Sequence, residues 1–206
     1  DNKMLDSGYL ENLNKILSTN AKERLLKGNW EYDDDPTVLC DYDAICDIFS
    51  NDFEKSNKKY ITADIARMGS DLAVICVWNG WAVIEMVTFD KSKTTEIQYA
   101  IKTLQKKHVI GNSQCVADED GVGGGVVDNL NIKGFVNNSR ALDDENYQNL
   151  QSQCCYGLAD EINSRRLSIQ CDVSPKHKEM IIEDLEQLKS YDNDKDGKLK
   201  ILPKED

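Results

Sequence analysis

A mixed α/β fold is what this sequence predicts, and three observations carry the prediction. Three strand-like segments lie between residues 59 and 89, too close together for anything but tight connections. Two shorter apolar segments, near 114–117 and 132–136, follow them, each after a stretch with helical spacing. Long helical patterns then run over 145–163 and 174–189. Strands in a row, followed by alternating helices and strands, imply one mixed sheet with helices on both faces.

Taken in order, residues 1 to about 50 read as helical and lack strand alternation. Tyr9, Leu10, Leu13, Ile16 and Leu17 fall on one helix face. Asn20 and Glu23 form a capping box for a short second helix, and Gly28 is placed to end it. The acidic loop Asp33-Asp34-Asp35-Pro36 follows, and a third helix is expected from Asp41, a good N-cap, to Phe49. The polar stretch 50–59 marks the main boundary, which divides the chain into a helical segment 1–55 and a sheet domain 56–206.

Beyond the boundary, KYITADIA (Lys59 to Ala66), LAVICVW (Leu72 to Trp78) and WAVIEMVTF (Trp81 to Phe89) read as strands. Asn79-Gly80 signals a type I′ hairpin, so the three form an antiparallel meander. Ile97, Ile101 and Leu104 mark a helix over Thr94 to Lys107. QCVA (Gln114 to Ala117) is a short buried strand, Val122 to Leu130 a glycine-led helix, and Ile132 to Val136 a fifth strand. Leu150, Cys154, Leu158 and Ile162 define a helix over Glu145 to Asn163. Ser174 and Pro175 open another that runs to Lys189, and Leu199 to Leu202 is a last strand fragment. This is the element order of the ribonuclease-H-like fold, in which the first and fourth strands are neighbours.

Composition narrows the function classes. With 206 residues, 40% apolar and only 3 Pro, the chain has enough apolar side chains for a sizeable core and is neither collagen-like nor disordered. No apolar run is long enough for a transmembrane helix, and Asp1-Asn2-Lys3-Met4 lacks the features of a signal peptide. Starting without an initiating Met and ending at Lys204-Glu205-Asp206, the chain is expected to be a piece of a longer protein. The net charge of -12 argues against broad adhesion to DNA or to an anionic membrane, but not against a local basic groove. Basic residues cluster at Lys102, Lys106, Lys107 and His108, at Arg165 and Arg166, and at Lys176, His177 and Lys178. They read either as solvated helix faces or as the lining of such a groove.

The 7 Cys show no CxxC spacing and have only His108 and His177 for company, so no zinc site is readable. Reduced, mostly buried thiols in a cytosol-like compartment are expected. Asn137-Asn138-Ser139 matches a glycosylation sequon, which carries no weight without a secretion signal.

The chemistry points to carboxylates at strand ends. Asp64 lies in ITADIARMGSD, where Ile61, Ala63 and Ile65 suit a buried central strand. A carboxylate buried there costs several kcal/mol unless it is paired or binds a cation. Asp118, in CVADEDGVGGG, closes the fourth strand, with Asp120 two residues on. On adjacent strands the two would project into one pocket and could hold Mg²⁺ or Mn²⁺, which favour oxygen ligands. Two such ions about 4 Å apart suit phosphodiester cleavage. The structural alternative is that Asp64 is a satisfied core residue and Asp118 a helix or turn cap.

Two other motifs fail on inspection. Gly121-Val122-Gly123-Gly124-Gly125 follows a strand and opens a helix, but Val126 breaks GxGxxG and no Walker lysine follows. The glycines are better read as allowing a close approach of a helix to the sheet or to a phosphate backbone. Asp192 to Gly197 imitates the start of an EF-hand, but the twelfth position is Pro203 where a Glu is needed.

With these residues in view, the chain resembles the C-terminal nuclease domain of the large terminase subunit of tailed bacteriophages. YITADIARMGSDLAVICVWNGW looks like the first nuclease motif, VADEDGVGGGVVDNL like the second, and NYQNLQSQCCYGLADEIN like the helix that follows. LLKGNWEYDD is similar to the segment where the ATPase domain ends, and DGKLKILPKED to the run before the final acidic motif.

The resemblance implies a ribonuclease-H-like endonuclease that uses Mg²⁺ or Mn²⁺ to cut concatemeric double-stranded viral DNA by two-metal-ion hydrolysis. Asp64 maps onto the first metal-binding acid and Asp118 onto the second. Asp71 and Asp120 join them as candidate ligands, and Asp128 also lies in the motifs. Lys106, Lys107, Arg165 and Arg166 would contact the DNA backbone. The third acid is expected beyond Asp206. The implied partners are DNA, the terminase small subunit, the portal protein and the terminase ATPase domain, in the bacterial host cytoplasm and away from membranes. Two alternatives stand beside this one. Another ribonuclease-H-like nuclease of resolvase or integrase type is disfavoured by the N-terminal segment ending in GNW, whereas a non-catalytic docking module of the packaging motor is kept open by the missing acid.

Overall fold

Alternation along the strands and a four-residue apolar rhythm along the helices account for the architecture. A computed structural model describes residues 37–65, 72–120, 123–191 and 197–202. The elements are α1 (Tyr42–Asp47), β1 (Lys59–Asp64), β2 (Ala73–Asn79), β3 (Ala82–Phe89), α2 (Thr94–His108), β4 (Cys115–Asp118), α3 (Gly124–Leu130), β5 (Lys133–Phe135), α4 (Leu150–Asn163), β6 (Ser168–Ile169) and α5 (Pro175–Glu186). The helices expected around Tyr9–Leu17 and Asn20–Gly28 lie outside the described residues.

The strands form one six-stranded sheet in the order β5-β4-β1-β2-β3-β6. β1, β2 and β3 are the expected antiparallel meander. β4 lies parallel beside β1, and β5 parallel beside β4. β6, a two-residue strand with no sequence pattern of its own, lies parallel to β3. The hairpin between β2 and β3 differs in detail from the expected one. Asn79 pairs with Ala82, so the turn residues are Gly80 and Trp81. Gly80 has a φ of +59° while Trp81 is not among the positive-φ residues, which excludes type I′ and fits II′.

Each face of the sheet has its own core. Ile61, Ala63, Ile75 and Val77 meet Ile97, Ile101 and Leu104 of α2 and Val126 and Leu130 of α3. On the other face, Val83 and Ile169 meet Ala44 and Ile45 of α1 and Ala159 and Ile162 of α4, with Ile181, Ile182 and Leu185 of α5 packed against them. Burying such side chains, at about 1.5–3 kcal/mol each, is what holds the layers together. The division at residue 55 does not coincide with a break in packing. Asn163 donates to the Leu39 carbonyl at 2.8 Å and accepts from the Asp41 N–H at 2.9 Å, tying the start of α1 to the end of α4.

Capping chemistry sets the helix ends. Ser174 accepts from the His177 N–H, and Pro175 opens α5 as expected. α4 begins at Leu150 rather than at Glu145, because Asn149 caps it by accepting from the Ser152 N–H at 2.9 Å. Leu199 and Ile201 make single bridges to Tyr147 and Ser190 in place of a strand. All seven cysteines are free; Cys40 and Cys115 are buried and Cys154 is exposed. Burial, with the charge of Asp41 and the nearby Cys155, pushes the Cys40 thiol up to about 12. Among the described residues no helix is long and apolar enough to cross a membrane.

Candidate metal centre

The parallel pairing of β1 and β4 creates the candidate site. Ile61 pairs with Cys115, Thr62 with Val116 and Ala63 with Ala117. One step further along this register sets Asp64 beside Asp118, on strands about 4.8 Å apart. The two carboxylates that the sequence singled out therefore share the carboxyl-terminal edge of the sheet.

Asp64 is exposed, contrary to the buried setting expected from its neighbours. Ile61 and Ala63 do face a core, but successive side chains of a strand point to opposite faces. Tyr60, Thr62 and Asp64 thus share the outer face of β1. The cost of desolvation therefore gives no reason to infer a cation here. The reason to consider one is that two carboxylates close adjacent parallel strands, where oxygen donors can converge on a divalent ion.

Asp118 is half-buried, and its Oδ1 accepts the Asp120 N–H at 3.0 Å. Asp120 is itself engaged, as its Oδ2 accepts the Asn137 N–H at 3.1 Å and the Asn137 Nδ2 at 2.8 Å. Asp120 thereby ties the loop after β4 to the loop after β5. The Glu119 N–H donates to the Phe135 carbonyl at 2.9 Å, and its side chain lies over Gly134, where a Cβ would collide with it. Among the described glycines of the run, Gly123 is the position that needs the absence of a side chain. A Cβ there would strike the Asp118 carbonyl, with the Asp118 carbonyl carbon only 2.8 Å away. A glycine thus lets α3 start hard against the end of β4, as the sequence suggested. Asp71 lies outside the described residues, and Asp128 is exposed on α3.

Three helices begin along this same edge. α2 follows β3, which runs parallel to β1 and ends at Phe89 opposite Ala73. α3 follows β4 directly. The first turn of α4 donates from Leu150 to Ser139 at 2.7 Å and from Gln151 to Asn137 at 3.2 Å, both in the loop after β5. The carboxyl edge of an open α/β sheet is where ligands bind in such folds, and helix N-termini there favour anions.

The basic residues expected to touch DNA are not brought to this edge. Arg165 and Arg166 precede β6, whose Ser168 pairs with Ala82, at the end of the sheet where β1 begins. Arg165 Nε is 3.0 Å from Asp47, and Arg166 is held by Glu161 at 2.7 and 2.9 Å. Lys107 meets Glu85 at 2.7 Å, where His108 joins them at 2.6 Å. Lys106 is exposed in the last turn of α2, near where β4 begins. Lys91 and Lys93, between β3 and α2, do lie at the carboxyl edge, and their spacing in the sequence gave no sign of it.

A metal fits the donors present, though only in part. Mg²⁺ is commonly held by one or two carboxylates together with water and substrate phosphates, and Asp64 and Asp118 supply that minimum. Among the described residues no group of three or more His, Cys, Asp or Glu side chains gathers into a full ligand set.

No protein-family model matches the chain, and no curated protein matches it. Solved structures do. The nuclease domain of the large terminase subunit gp2 of bacterial virus Sf6 is 16% identical, with a TM-score of 0.66 over 81% of this chain and 88% of that one. A mutant of that domain solved with manganese and β-thujaplicinol has a TM-score of 0.68 at 15% identity, covering 80% and 87% of the two chains. The large terminase nuclease from thermophilic phage G20c with bound magnesium has a TM-score of 0.53 at 15% identity, covering 80% and 87%. At these identities the likeness is one of architecture: the chain has the mixed-sheet, ribonuclease-H-like fold of phage large-terminase nuclease domains.

Proposed function

We propose that the chain is a metal-dependent endonuclease domain of a viral DNA-packaging terminase, acting on double-stranded DNA. The observation that carries the reading is the juxtaposition of Asp64 and Asp118 at the ends of adjacent parallel strands. The fold shared with nuclease domains, two of them solved with manganese or magnesium, supports it. Asp64 and Asp118 would hold Mg²⁺ or Mn²⁺, with Asp71 as a further candidate. When bound, the metal activates water and stabilises the leaving oxygen of a phosphodiester. Asp118 is oriented for this by the Asp120 N–H, while Asp120 remains a further candidate ligand whose Oδ2 accepts from Asn137.

On this reading, residues before the sheet link to an ATPase domain, and the small subunit and portal are partners in the host cytoplasm. The test is cleavage of supercoiled plasmid with Mn²⁺, with and without EDTA, beside Asp64→Ala and a version extended past Asp206. Cutting that needs both metal and Asp64 is the expected result. If only the extended version cuts, a third acid follows Asp206. If neither version cuts, the nuclease reading falls and a docking module of the motor takes its place.

A further inference from the structure

The face of the sheet that bears Asp64 is closed on one side and open on the other. Over β3 and β6 it is covered by α1, α4 and α5, and Trp78, Cys76 and Met86 pack at the margin of that cover. Over β1, β4 and β5 that cover stops among the described residues, as Tyr60, Thr62 and Lys133 are exposed and Val116 is half-exposed. The registers arrange this open area in rows. Lys133 pairs with Val116, Val116 with Thr62 and Thr62 with Cys76, so these four side chains share one face. The next row toward the carboxyl edge holds Phe135, Asp118 and Asp64. Thr62 is fixed in place by the Trp78 Nε1–H, which donates to its Oγ1 at 2.8 Å.

Lys133 is the cation of this face among the described residues of β1, β4 and β5. It lies one strand over from Asp118 and two residues back, about 8 Å between Cα atoms, within the span of a lysine side chain. Unlike Lys107, Arg165 and Arg166, it makes no ion pair with a described residue.

We propose that Lys133 is a positioning residue that holds a DNA phosphate next to the one at Asp64 and Asp118, steering one strand across the open face. The inference rests on the nuclease reading for its substrate. A polyanion approaching two carboxylates in a protein of net charge -12 needs a local counter-charge, and Lys133 supplies it on the carboxylates' own face. A lysine on an edge strand can also serve only to deter strand pairing between molecules. That role makes a different prediction.

The test is binding of a fluorescein-labelled DNA duplex to the full chain in Ca²⁺, read by anisotropy over a KCl series. Lys133→Gln is expected to flatten the slope of log K against log[salt] by about 0.9, the loss of one phosphate contact. Lys133→Arg should restore the slope, Lys176→Gln should match wild type, and all should share one melting temperature. An unchanged slope in Lys133→Gln, an equal change in Lys176→Gln, or absence of DNA binding by wild type overturns the proposal. Self-association of Lys133→Gln at an unchanged slope would identify the edge-blocking role instead. Metal-dependent cleavage lost in Asp64→Ala, with the slope intact in Lys133→Gln, would sink Lys133 alone. A flattened slope without any cleavage would sink the nuclease chemistry and keep the contact.

Discussion

The two ends of the central sheet handle charge in opposite ways. Where β1 begins, cations are neutralised by the fold itself: Arg165 by Asp47 and Arg166 by Glu161. Partway along β3, Glu85 does the same for Lys107 and His108. Where β1 ends, Asp64 and Asp118 stand on adjacent strands, and among the described residues Asp118 Oδ1 accepts from the Asp120 backbone N–H and pairs with no cation. Closed ion pairs are a mark of structure, whereas two carboxylates ending neighbouring strands are a candidate site for a ligand.

The largest effect should come from the carboxylates. Asp64→Ala and Asp118→Ala are each expected to lower Mn²⁺-dependent plasmid cleavage by about a hundredfold or more, the scale of losing a charge-stabilising group at a reacting phosphate. Because Asp64 is exposed, its replacement should change unfolding free energy by no more than about 1 kcal/mol in urea titration. Asp64→Ala that keeps full activity would dissolve the contrast between the two ends. Next comes the glycine that seats α3 against Asp118. Gly123→Ala should cost about 1–3 kcal/mol through forced backbone movement, and cleavage should fall with it. Gly125, with nothing near its missing Cβ and a place inside α3, should gain about 0.5–1 kcal/mol as Gly125→Ala. Equal effects at the two glycines would show that the run serves flexibility rather than one close approach.

Much of this end was legible in the sequence. The meander and the neighbouring first and fourth strands follow from alternation and element order, and they bring Asp64 and Asp118 together. Thr62 and Asp64 alternating with Ile61 and Ala63 carry the exposure of Asp64, but apolar neighbours in sequence mask it because they face the opposite side of the strand. β6 is too short to leave a pattern. The apolar rhythm begins at Leu150, where α4 does, and the polar residues from Glu145 stay outside the helix because the Asn149 side chain caps it. The basic clusters at 106–107 and 165–166 are conspicuous in sequence, but which end of a sheet they reach is set by chain connectivity. Lys133 is a lone residue in a three-residue strand, and register alone gives it meaning.

The smallest effects should lie among the closed ion pairs, and pH separates them. Burial pushes the Glu85 carboxyl up, but the hydrogen bonds from Lys107 and His108, with their charges, outweigh it and leave the group below its ordinary value. A carboxyl with a depressed folded-state pKa contributes stability above its unfolded value, and that contribution is lost as pH falls through the folded one. Glu85→Gln should therefore be destabilised by about 1 kcal/mol at neutral pH, a modest figure because the site is partly solvent-screened. The gap to wild type should close as pH drops below the ordinary glutamate value. Arg166→Gln removes the exposed cation of its pair with Glu161, and its unfolding midpoint should stay close to wild type. A gap for Glu85→Gln that widens in acid would mean that Lys107 and His108 do not stabilise the carboxylate. The tidy neutralisation at that end of the molecule would then be a feature of geometry without energetic weight.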